Sequence, residues 1–104
     1  MNDTHPAIAG PELIRLLTDD HGIAFDEAFD IAQGTLNYTN HTLLPEALEA
    51  WETRLMGEAL PRHMQLIERI DDRLARDAKS ASKANAPRIV DHGVVNMGTL
   101  AFTC

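Results

Sequence analysis

The chain has 104 residues and a mass of 11.5 kDa, enough for one domain that buries about 60–70% of the surface its unfolded chain exposes. Sixteen acidic against nine basic residues give a formal charge of −7, which repels phosphate backbones and anionic lipid and argues against nucleic acid and membrane surfaces as partners. The one cysteine, Cys104, excludes an internal disulfide, and no apolar run approaches the ~20 residues of a membrane span, so the reading is a folded cytoplasmic protein.

In chain order, residues 1–10 read as a polar loop in which Pro6 disfavours helix at His5. On spacing alone Asp3 and His5 are residues of a solvated turn. Pro11 then opens a helix with Leu13, Ile14, Leu16 and Leu17 as its apolar stripe, and Gly22 suits a left-handed cap at its end. A second helix is predicted from about Asp26, its cap, to Gln33, with Phe25, Ala28, Phe29 and Ala32 at helical spacing and Gly34 as its stop. Residues 35–44 form a polar loop carrying Asn40 and His41, which leads into a helix start: Thr42 can cap it, Pro45 needs no hydrogen bond there, and Glu46 and Glu49 complement the positive end of the dipole. Helical spacing continues through Ala47, Leu48 and Trp51, with a break or bend near Trp51, and resumes at Leu55 and Met56.

Pro61 starts the clearest helix, running to about Ala78. Leu60, Met64, Ile67, Ile70 and Leu74 share one face, and Arg69, Asp72, Arg73 and Arg76 read as a solvated face with weak ion pairs. Residues 79–87, small and polar with both lysines of the chain and a proline, are a linker. Beyond it, residues 88–90 suggest a short strand, His92-Gly93 a turn, and Val94 to Phe102 an apolar, helical segment. With no cap or polar tail before Cys104, the expectation is a chain cut from something longer. The fold class expected is mainly α.

Chemistry is sparse by spacing. Asp3, His5, His41 and Glu46 are metal-ligand types, but there is no His-Glu-x-x-His helix, no cysteine pair and no histidine pair at i and i+4, so no metal is expected. Cys104 lacks organised neighbours that would lower its pKa. Glu46, Glu49 or Asp3 could act as acid and base, though carboxylates at helix starts are usually caps. The two helices over residues 11–34 are spaced like a helix-turn-helix, against which the acidic balance and the lack of basic residues on the second helix both argue.

Motifs in order go further. Asn2-Asp3-Thr4-His5-Pro6-Ala7-Ile8-Ala9, Pro11-Glu12-Leu13, Tyr38-Thr39-Asn40-His41-Thr42, Leu44-Pro45-Glu46-Ala47-Leu48-Glu49 with Trp51, and Leu60-Pro61-Arg62-His63 closely resemble the α-glucan phosphorylase family of glycogen, starch and maltodextrin phosphorylases. The resemblance runs without a gap from Asn2 to about Leu74 and resumes at Val95-Asn96-Met97-Gly98-Thr99-Leu100-Ala101. The sequence departs from the family pattern at Gly10, Gly34, Asn37 and Glu52.

The resemblance implies an internal, largely helical part of the N-terminal domain of a two-domain GT-B glycosyltransferase. The implied activity is phosphorolysis of α-1,4-glucan, retaining configuration and releasing glucose 1-phosphate, with pyridoxal phosphate as cofactor and typically a homodimer as the assembly. It implies that His41 presents a main-chain carbonyl near the 6-hydroxyl of a bound glucosyl unit, that Asn40 shapes the same pocket, and that Asp3 and His5 line its side near the anomeric carbon. The family's cofactor-lysine motif, Glu-Ala-(Ser/Cys)-Gly-x-(Gly/Ser)-x-Met-Lys, is absent, and Lys79 and Lys83 in a polar loop are poor Schiff-base candidates. The chain alone is therefore expected to bind no pyridoxal phosphate and to be inactive. The competing expectation is a catalytically inert, acidic helical interaction module, or a decayed gene product, descended from that family.

Overall fold

A computed structural model describes residues 4–39, 49–80 and 88–103, with the side chains of 79 and 80 excepted. Asp3, Asn40, His41, the helix start at 42–46 and most of the 79–87 linker lie outside the described residues. Helices dominate. A 3₁₀ turn, His5–Ile8, runs directly into α1 (Ala9–Arg15), followed by a π-helical turn, Leu16–Asp20, and α2 (Phe25–Thr35). A strand β1 (Ala50–Glu52), α3 (Thr53–Ala59), the long α4 (Pro61–Ser80), β2 (Val90–Asp91), β3 (Val94–Asn96) and α5 (Met97–Thr103) complete the order.

Helix begins earlier than the prolines suggested. Pro6 sits in the first turn of the 3₁₀ segment and Pro11 in the first turn of α1. At both places the missing N–H would have had no intrahelical partner, so proline is compatible with the turn rather than a barrier to it. The other end of this helix follows expectation: Gly22 has φ +68°, its N–H reaches the Thr18 carbonyl at 3.2 Å, and the Ile23 N–H closes on Leu17 O at 2.9 Å. Between them, the Thr18 hydroxyl donates to the Ile14 carbonyl at 2.9 Å, a back-bond that competes with the main-chain ladder where the helix widens into the π turn.

In α2 the N-cap is Ala24, with no side-chain cap, so Asp26 is not the cap that spacing suggested. It lies inside the first turn with Glu27, where negative charge complements the dipole, and its carboxylate reaches across to α4. Gly34 stays helical and the chain turns extended only at Leu36, with φ −100° and ψ 142°. One glycine costs about 1 kcal/mol in a helix, too little to end one whose other face is packed.

The core lies where α1, α2 and α4 meet. Ile14, Ala28, Phe29, Ala32, Leu66, Ile67 and Ile70 are buried there, each large aliphatic or aromatic side chain contributing about 1.5–3 kcal/mol. The opposite face of α4 is less solvated than its charges suggested. Arg73, only 19% exposed, reaches Asp26 at 3.0 Å and Asp30 at 3.1 Å on α2 and Asp77 at 3.2 Å on its own helix. Its guanidinium lies 4.8 Å from the Phe29 ring centre, while Arg69 sits 4.1 Å from that of Phe25. These cations clasp the two helices, and their stems cover the aromatic edge of the core.

A small antiparallel sheet completes the fold, in the order β1-β3-β2, with Trp51 opposite Val95 and Val90 opposite Val95 on the other side. This corrects the helical reading through Trp51. Ala50, Trp51 and Glu52 are all exposed, so no apolar face selects helix, and main-chain pairing with β3 decides their state. It also divides the predicted apolar helix at Val94–Phe102 into strand and helix at Met97. The turn joining β2 to β3 has positive φ at both His92 (49°) and Gly93 (76°), the twist a two-residue hairpin needs. Asp71 on α4 anchors the approach to this hairpin: nearly fully buried, it accepts from Arg88 Nη2 at 2.5 Å and from the Ile89 N–H at 2.8 Å.

Candidate functional site

Of the four residues singled out from sequence, His5 is among the described ones, and it stands exposed on the 3₁₀ turn. Its neighbour Thr4 has the opposite environment, 1% exposed. Thr4 occupies the N-cap position but makes no side-chain cap. Its hydroxyl instead donates to Glu49 Oε2 at 3.2 Å, across 45 residues of sequence.

Glu49 is the junction of the region. Its other carboxylate oxygen, Oε1, accepts from the Trp51 indole N–H at 3.0 Å, and its main-chain carbonyl accepts from the Met97 N–H at 3.0 Å. One residue thereby joins the His5 turn, β1 and the start of α5. The reason is local: Glu49 and Trp51, two apart in extended chain, project to the same side of β1, and α5 packs against the 3₁₀ turn. Sequence reading took Glu49 as a carboxylate complementing a helix dipole. The signal that could have found it is the period of two in Glu49-x-Trp51, which in a short stretch is easily lost beneath helical spacing.

Below this polar junction lies a groove of about 250 Å³, lined by His5, Ile8, Trp51, Leu55, Leu60 and Met97 among others. Its lining is almost wholly apolar, with His5 and Glu49 among the residues that border it. Trp51 and Leu55 are 45% and 42% exposed, large apolar groups left open to solvent on this side. Among the described residues no three His, Cys, Asp or Glu side chains come together as a metal site.

A second cluster ties α1 to α4 behind the turn. Glu12 takes a two-pronged contact from Arg15, at 2.8 and 2.6 Å, and meets His63 Nε2 at 2.5 Å. The Arg15 guanidinium, with the His63 hydrogen bond second, holds the Glu12 carboxyl down at about 2. Nearby, Arg62 pairs with Asp19 at 2.9 and 2.7 Å and lowers that carboxyl as well. The Leu60-Pro61-Arg62-His63 motif thus supplies two side chains that fix α1 and its π turn against the start of α4.

Compared with known proteins, all of residues 1–104 match the carbohydrate phosphorylase family. The chain belongs to that family. The cytosolic α-glucan phosphorylase 2 of Arabidopsis thaliana is 59% identical over 76 residues, which is 73% of this chain and 9% of that protein. The α-glucan phosphorylase H isozyme of Solanum tuberosum is 47% identical over 109 aligned residues, 96% of this chain and 13% of that one. The chloroplastic/amyloplastic α-1,4 glucan phosphorylase L isozyme of Ipomoea batatas is 54% identical over 80 residues, 77% and 8% of the two chains. This phosphorylase segment therefore spans about a tenth of the length of the relatives it matches, and their compartments differ. No described helix is long and apolar enough to cross a membrane.

Proposed function

We propose that this chain is a segment of an α-1,4-glucan phosphorylase and forms one wall of its glucosyl pocket, within the N-terminal domain of a GT-B fold. The reaction is transfer of a terminal glucosyl residue to inorganic phosphate with retained configuration, releasing glucose 1-phosphate. The observation that carries the reading is the family match across the whole chain, which includes the exposed His5 of the first turn.

In this reading Asp3 and His5 line the pocket near the anomeric carbon, and Asn40 and the His41 carbonyl take the 6-hydroxyl side. Sugar hydroxyls are selected by several directed hydrogen bonds at once, because each buried partner left unmatched costs about 1–3 kcal/mol. Pyridoxal phosphate supplies proton transfer through its phosphate in such enzymes. The residues of this chain do not fit that group: the family's lysine motif is absent, and both lysines, Lys79 and Lys83, lie in a stretch of small polar residues. Its contribution is to bind and orient glucan, and the 104 residues alone are inactive and bind no cofactor.

The test is a chimera in which residues 1–104 replace the matching stretch of the Solanum tuberosum H isozyme. Glucose 1-phosphate release from maltodextrin and phosphate is expected to persist, and His5→Ala in the chimera to lower kcat/KM by about a hundredfold. A folded chimera that fails to turn over, or one indifferent to His5, refutes the reading. The isolated chain is expected to release none.

A further inference from the structure

We propose that Glu49 is a positioning residue, holding the turn that carries His5 beside the groove through the Thr4 hydroxyl. The proposal rests on the pocket-wall reading for its catalytic consequence, and on geometry alone for its structural one. Thr4 is buried at the foot of the turn, and its hydroxyl donates to Glu49 Oε2 at 3.2 Å and makes no side-chain cap. Glu49 is in turn fixed at three points: Thr4, the Trp51 indole at 3.0 Å, and the Met97 N–H at 3.0 Å on its own carbonyl. Thr4 and Trp51 each meet a different oxygen of Glu49, and an amide in its place turns an NH2 donor toward one of those two donors.

His5 follows Thr4 directly, so rotation at Thr4 moves the imidazole. A displacement near 1 Å is enough to cost up to about a hundredfold where geometry matters. Glu49 thus acts through Thr4 on His5.

Two measurements test this. In the 104-residue chain, Trp51 is the one tryptophan, so its indole proton resonance reports on Glu49 directly. Glu49→Ala is expected to move both that resonance and the His5 ring resonances, whereas Thr4→Val moves His5 and leaves the indole in place. An unmoved His5 in both variants overturns the proposal, whatever the chimera does. In the chimera, Thr4→Val and Glu49→Gln are each expected to raise KM for maltodextrin about tenfold with KM for phosphate unchanged, and Thr4→Ser, which keeps the hydroxyl, to recover most of that loss. Equal kinetics for Thr4→Val and Thr4→Ser also overturn it, since a purely structural role would follow packing rather than the hydroxyl. A parent chimera without activity defeats the pocket-wall reading instead, and the resonance measurement still decides the positioning role.

Discussion

Replacing Asp71 by alanine should be among the most damaging single changes in the protein. Asp71 is 2% exposed and accepts from three donors: Arg88 Nε, Arg88 Nη2 and the main-chain N–H of Ile89, itself fully buried. Its carboxylate raises the Arg88 guanidinium further above its ordinary value. Truncation leaves the Ile89 N–H without its carboxylate acceptor, a loss of about 1–3 kcal/mol. Breaking a fully buried ion pair costs about 3–5 kcal/mol, but Arg88 is 48% exposed and regains water, so the pair adds only about 1 kcal/mol. The expected total is about 3 kcal/mol, and at about 4–8 °C per kcal/mol for a domain of this size Tm should fall by roughly 12–24 °C. Asp71→Asn keeps one oxygen for the Ile89 N–H and should lose only about a third of that. Thermal unfolding by circular dichroism measures both, and exchange of the Ile89 amide reports the local loss. Equal midpoints for the two variants, or a drop below about 4 °C for alanine, would refute the argument that the main-chain acceptor is the dominant contribution.

Three further outcomes are expected. Glu12 has its carboxyl lowered from 4.5 to about 2, so its contribution is complete above the unfolded value and is lost as pH falls from there through about 2. With Glu12 38% exposed, screening reduces that contribution to about 1 kcal/mol, and urea titrations of wild type and Glu12→Gln should differ near neutrality and converge in acid. Arg73→Lys keeps the charge but not the fork that spans Asp26, Asp30 and Asp77, and should cost about 1 kcal/mol in a denaturant midpoint, against about 2 kcal/mol for Arg73→Ala, which also uncovers Phe29. His92→Asn, at a position with φ 49° followed by Gly93, should raise Tm by a few degrees, about 0.5–1 kcal/mol, because asparagine tolerates the left-handed region of this hairpin turn better.

The parts of the fold that were legible in sequence are those with one long period and one buried face. The apolar positions of α4, from Met64 to Ile70, and those of α2, from Phe25 to Ala32, are core residues as their spacing required. Gly22 followed from its freedom to take a left-handed cap, and the His92-Gly93 turn from the short stretches on either side of it. Illegible were the features fixed by distant partners. Ala50–Glu52 is strand because β3 lies beside it, and Arg73 is a clasp because Asp26 and Asp30 lie across from it. At the candidate site, motif resemblance points to His5, while spacing assigns it to a solvated turn. Glu49 and Thr4 were missed as a pair because 45 residues separate them, and no local pattern encodes a contact of that range.

The strand order carries a further consequence for how the molecule is made. Among the described strands β3 comes last in sequence and lies in the middle in space, so β1 finds its partner only after residues 94–96 have left the ribosome, and Met97 then supplies the amide that seats Glu49. The turn bearing His5 precedes both Glu49 and Met97 in sequence, so its tie to Glu49 and the seating of Glu49 by Met97 close only after it has been made. A nascent chain halted before Val94 would hold β1 without its neighbour and Glu49 without the Met97 amide, so the three-stranded sheet and the seat of Glu49 close together, late and as one event.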